Sequence, residues 1–170
     1  MIARLREHMR TRLRDTRGFM LAEQLVSVIF LGLLCVVVAA GLGAALSAYG
    51  NITKQTRADA LLSQAVELVS DELVYALSVE GGGSFPAFVS ATQNETMQFY
   101  SPDSGVMNGI MFATDSGSSL ALVPARDGLV PALEQLSYDE SAGTWSFLVQ
   151  VKSGNDTLAE ADMTVHRIGS

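Results

Sequence analysis

The chain has one cysteine, two histidines and two lysines, and no proline between Phe19 and Leu77. Each scarcity excludes something. A single thiol, Cys35, allows no intramolecular disulfide and no cysteine-based zinc site. Set among Leu, Val and Ala, it reads as a small hydrophobe. An exported domain without disulfides must be stabilised by its core alone. A Ser-His-Asp triad would have to use His8 or His166. His166 has Thr164 and Asp162 beside it on the expected solvent face of a strand, which makes it an ordinary exposed histidine. No histidine pair and no HExxH sequence points to a transition metal.

Positive charge is scarce too, except at the start. The first 18 residues hold Arg4, Arg6, Arg10, Arg12, Arg14 and Arg17 against Glu7 and Asp15, a balance of +4. The rest holds five cations (Lys54, Arg57, Arg126, Lys152, Arg167) against sixteen acids, a balance of -11, and the two sum to the overall -7. An acidic main domain would repel phosphates, so nucleic acid is not expected as its partner. The 170 residues suffice for one modest domain and an accessory segment.

What is abundant is apolar sequence. From Gln24 to Thr53 there are 30 consecutive uncharged residues, and Leu25 to Leu46 contains only Ser27 as a strongly polar side chain. As a helix, the latter stretch spans roughly 33 Å, about the thickness of a bilayer's hydrocarbon core. With the arginines in front of it, the positive-inside rule expects residues 1–18 in the cytoplasm and the chain beyond about residue 47 outside. The run is too long for a conventional signal peptide, although small residues near Ala44 to Ala48 could mimic a cleavage site. A plain single-pass anchor fits the length but leaves Glu23, an acid at the edge of the run, without a reason.

The residues Gly18-Phe19-Met20-Leu21-Ala22-Glu23 supply one. They resemble the processing site of type IV prepilins and type II secretion pseudopilins. In that family a basic leader ends in Gly, the next residue is commonly Phe, Glu is fifth in the mature chain, and the apolar helix follows the cut. Met20 stands where Thr is frequent. The resemblance implies a leader of residues 1–18, cleavage between Gly18 and Phe19 by a prepilin peptidase, and N-methylation of Phe19. It also implies that Glu23 of one subunit meets the Phe19 amine of a neighbour and sets axial register, while lateral packing of the apolar helices supplies cohesion. A methylated α-amino group remains cationic near neutral pH.

Beyond the apolar run, Ala58, Leu61, Leu62, Ala65, Val66, Val69, Leu73, Val74 and Leu77 recur at threes and fours, which predicts one apolar stripe. Asp59, Ser63, Gln64, Glu67, Ser70, Asp71 and Glu72 lie opposite. A continuous helix from Phe19 to Leu77 would be roughly 90 Å long. Gly81-Gly82-Gly83-Ser84 is expected to end it; no Lys-Ser/Thr follows, so it is not a phosphate loop.

The period then changes to two. ETMQFYS, VMNGIMFAT and SLALVP read as strands, followed by an antiparallel meander of Leu133 to Tyr138, Trp145 to Val151 and Leu158 to Ile168. Trp145, Phe147, Val149 and Val151 alternate with Ser146, Leu148, Gln150 and Lys152. Ala159, Ala161, Met163 and Val165 alternate with Glu160, Asp162, Thr164 and His166. One apolar and one polar face suits an antiparallel sheet packed on a helix, and helix-then-strands order argues α+β. The loops at 101–105, 114–119 and 153–156 carry oxygen ligands for calcium, but none has the EF-hand spacing and turn chemistry accounts for them.

The expected organisation is a cleaved basic leader at 1–18, a transmembrane assembly half-helix at 19–46, an extracytoplasmic amphipathic half at 47–80, and an antiparallel sheet domain at 81–170. The resemblance implies a structural subunit, expected as a minor one, of a type IV pilus, competence pilus or type II secretion pseudopilus, and not an enzyme. No cofactor or metal is expected. Its partners would be the prepilin peptidase, other pilin-like subunits, the pilus or secretion assembly machinery and the cytoplasmic membrane. The other reading is a single-pass membrane protein with an extracytoplasmic ligand-binding domain.

Overall fold

The computed structural model describes residues 16–102 and 109–168, with side chains from Met20 onward. Residues 1–15 of the expected leader therefore lie outside the described residues. The chain is α+β: one long helix, α1 (Thr16–Val74), precedes eight strands in two antiparallel sheets. It divides into two compact units, residues 1–51 and residues 52–170. The first, so far as it is described, is helix alone, and every side chain from Met20 to Asn51 is exposed.

The second unit holds the end of α1 and all the strands. Strands β1 (Ser78–Glu80), β2 (Ala87–Val89), β3 (Thr96–Tyr100), β4 (Gly109–Thr114) and β5 (Ser119–Pro124) form a five-stranded meander. Strands β6 (Val130–Asp139), β7 (Thr144–Ser153) and β8 (Asp156–His166) form a second meander of three. The expected single sheet is thus two.

The helix stops at Val74, earlier than the stripe ending in Leu77 implied. The Ala76 amide turns back to the Leu73 carbonyl at 3.4 Å, and the Leu77 amide donates to Val89 of β2 at 2.9 Å. Once Leu77 is recruited to the sheet it cannot continue the helix, and its side chain is exposed. The glycine run consequently serves a different purpose from the one expected. It connects β1 to β2, with Gly81 and Gly83 at φ of 84° and 117°, which L side chains rarely adopt.

The rest of the stripe is in place. Ala58, Ala65, Val69 and Leu73 are buried, and Leu61, Leu62, Val66 and Val74 are half-buried. Ala65, Val69 and Leu73, with Leu61, Leu62 and Val66 beside them, meet Phe88, Met97, Phe99, Ile110, Phe112 and Val123 from one sheet and Leu133, Leu136, Trp145, Phe147 and Val149 from the other, in one core. Trp145 joins the sheets: its ring lies 4.7 Å from Tyr138 on β6 and 5.9 Å, edge-on, from Phe88 on β2. Edge-to-face and tilted pairs at these spacings add to the burial itself.

The alternation in β7 and β8 is as the sequence implies, with Trp145, Phe147, Val149 and Val151 of β7 buried and the polar residues of β8 exposed. In β6 the register shifts between Leu133 and Gln135, leaving Glu134 as the extra residue. That bulge lets Leu133 and Leu136, three apart, both face the core. Pro131 is tolerated because β6 is an edge strand.

Candidate functional site

The candidate site is the first half of α1. Gly18 and Phe19 fall within the helix, which begins at Thr16, so the bond between them is in helical backbone. Glu23 follows Phe19 by four residues, about one helical turn. Its side chain is exposed, and among the described residues it makes no hydrogen bond or ion pair.

From Met20 to Asn51 large apolar side chains point outward all round: Leu21, Phe30, Val37 and Leu46 are each more than half exposed. The described chain buries none of the most apolar 18-residue stretch. This helix is long and apolar enough to cross a membrane. Each square ångström of apolar surface left in water costs about 25 cal/mol, so so large a contiguous face needs an apolar environment beyond the chain itself. Gly32, Gly41, Gly43 and Gly50 have nothing within 4 Å of where a Cβ would stand. Cys35 is a free, exposed thiol in the same segment.

Chemistry-bearing residues elsewhere are dispersed. His166 is exposed at the end of β8, opposite Thr144. Among the described residues no group of three or more His, Cys, Asp or Glu could hold a metal ion. Two of the oxygen-rich loops are hairpin turns: the Gly117 amide closes on Thr114 at 2.9 Å, and Gly154 takes a φ of 62° between Ser153 and Asp156. The loop at 101–105 runs beyond the described residues after Pro102. A cleft of about 620 Å³ between the sheets is lined by Gln98, Tyr100, Glu134 and Lys152 among others, and its two charged side chains pair with each other.

One grouping was not legible in the sequence. Arg57 on α1 and Arg126 at the β5–β6 turn line one cleft of about 280 Å³ with Gln64, Asp127 and Leu129. Asp127-Gly128 is a hairpin-turn signal in sequence, but its meeting with Arg57, far away in the chain, comes only from the fold.

No protein-family model, curated protein or solved structure matches the chain. The helix itself carries three distinctive features: a helical Gly18–Phe19 bond, an exposed acid one turn later, and an unburied apolar surface.

Proposed function

We propose that the chain is a prepilin-like structural subunit of a type IV pilus, competence pilus or type II secretion pseudopilus, as a minor component. It is made as a precursor, held in the cytoplasmic membrane by α1, and cut between Gly18 and Phe19 by a prepilin peptidase. The new Phe19 amine is N-methylated. The assembly machinery then draws the subunit out of the membrane, and its apolar half-helix packs against those of other pilin-like subunits.

The observation that carries this reading is the coupling of Gly18, Phe19 and Glu23 to a helix whose apolar half is wholly exposed in the chain. A carboxylate at the edge of lipid costs a few kcal/mol unless it is paired or reaches the interface. A neighbour's Phe19 ammonium offers it a partner, and because that attraction is greatest at direct contact it favours one axial step over others. A plain membrane anchor has no use for such an acid. The same logic makes the chain a non-enzyme: its distinctive chemistry is a cut made on it, and a surface for like helices.

Co-expression with a prepilin peptidase tests the reading. The chain should shorten by its first 18 residues, and Gly18→Ala should leave the precursor intact. A wild-type chain that stays full length beside an active peptidase contradicts it.

A further inference from the structure

After Glu23 the next charged residue is Lys54. The 31 steps between them in α1 rise roughly 45 Å, about the thickness of a bilayer with its headgroups. Lys54 is thus the first charge after the uncharged run long enough to cross a bilayer, the juxtamembrane position. Arg57 follows three residues later on the same side of the helix.

A third cation, Arg126, is brought to Arg57 by a tight turn. Arg126 and Leu129 exchange two backbone hydrogen bonds of 2.9 Å around Asp127 and Gly128, whose φ values are 55° and 74°. Leu129 is buried and packs in a small cluster with Ala58 and Val151, which pins this turn to the helix. Arg126 and Arg57 consequently face one cleft, with the Gln64 amide as a further polar group. Arg57 and Arg126 thus share one cleft, and Lys54 precedes Arg57 by about one helical turn. Lys54 and Arg126 make no ion pair among the described residues.

Acids face this surface as well. Asp127 meets Arg57 at 3.4 Å, with both side chains more than half exposed. Asp59 lies on the other flank of the helix, bonded to Gln55 at 3.2 Å. Asp156 starts β8, whose Leu158 joins the same small cluster. The exposed Arg57–Asp127 pair is of the weak, screened kind and gives way readily to a phosphate. In the cleft two cations, Arg57 and Arg126, outweigh one acid, Asp127, and Lys54 adds a third positive charge about one helical turn before Arg57.

We propose that Lys54, Arg57 and Arg126 form a seat for the phosphates of anionic phospholipids in the extracytoplasmic leaflet, holding the folded domain on the membrane before assembly. This rests on the membrane-spanning reading of α1. Guanidinium groups suit phosphate because they donate in a planar fork, and a basic cluster beside a membrane helix is drawn to anionic lipid.

The test uses the full chain in unilamellar vesicles of phosphatidylcholine, alone or mixed with phosphatidylglycerol. Trp145, the only tryptophan and fully buried, reports melting of the sheet domain. The expected result is a transition about 5 °C higher in the anionic vesicles, lost at high salt. Arg57→Gln/Arg126→Gln should abolish the difference while leaving the phosphatidylcholine value in place. Asp127→Asn, which frees Arg57, should enlarge it. Equal transitions in the two lipids, or a double variant that keeps the difference, overturns the proposal. A chain that enters neither vesicle overturns the membrane-spanning reading itself.

Discussion

The Ser90 hydroxyl, fully buried, donates to the Glu72 carboxylate over 2.8 Å. The same oxygen accepts the amides of Thr92 and Gln93 at 3.1 and 3.2 Å, and the Thr92 hydroxyl reaches the other Glu72 oxygen at 2.9 Å. One side chain thus ties the last turns of α1 to the β2–β3 turn. Glu72, expected among the solvent-facing residues, is half-buried for this reason. Ser90→Ala removes the donor to Glu72 and the acceptor for two amides. It should lower stability by about 1–3 kcal/mol, read as a shift of the denaturation midpoint without a change in slope.

Gly109 opens β4 with a φ of 129°, and a Cβ there would stand 2.2 Å from the Val123 carbonyl oxygen. That atom belongs to the paired strand β5, so neither side can yield cheaply. Gly109→Ala should cost at least about 2 kcal/mol. A thermal melt within a degree of wild type would show that the β4–β5 pairing is looser than described.

The two units should respond separately to core-type substitutions. Trp145→Phe removes ring atoms from the middle of the sheet core and should destabilise by about 1–3 kcal/mol. Leu33→Ala changes an exposed side chain of the first unit, which belongs to neither apolar cluster. It should leave the Trp145 fluorescence melt unaltered and, under the proposed function, reduce association between subunits, measured by crosslinking in membranes.

Acid has a defined local effect at the β6–β7 turn. Hydrogen bonds from the Ser141 hydroxyl, then from the Ala142 and Ser141 amides, hold the Asp139 carboxyl below its ordinary 3.8. A carboxyl lowered in the folded state contributes stability that is present above the ordinary value and lost as pH falls through the folded one. Wild type and Asp139→Ala should therefore differ in melting temperature at neutral pH and converge as pH falls below about 3.8. The Asp139 side chain is exposed, so the difference is small.

Glu23→Ala separates processing from assembly. Under the proposed function, Glu23 acts in assembly and not in cleavage, so the variant should still be processed after Gly18. Its incorporation into filaments should then fall several-fold, for want of the proposed carboxylate–amine pairing. Unchanged incorporation would refute the register argument while leaving cleavage untouched.

Legibility in the sequence followed the length of each pattern. The stripe from Ala58 to Leu73 repeats over four turns, and the alternation from Trp145 to Val151 over seven residues, so both could be read directly. SLALVP is β5 to the residue, bounded by its turn signals. Strands β1 and β2, three residues each, are too short to show any period. Long-range recruitment also has no local signature. The Leu77 amide leaves the helix because Val89 is there to accept it, and Glu72 turns inward because Ser90 is within reach. The candidate site was readable as a motif, Gly18-Phe19 with Glu23, because its residues are contiguous. The meeting of Arg57 with Arg126 was not, because it depends on how a hairpin turn packs on the helix.

The central claim concerns one bond and one amine. Mass spectrometry of the mature N-terminus, on chain isolated from membranes or filaments of cells with an active prepilin peptidase, reads both. The account predicts a chain beginning at N-methyl-Phe19. An intact Met1 in the assembled material would contradict it.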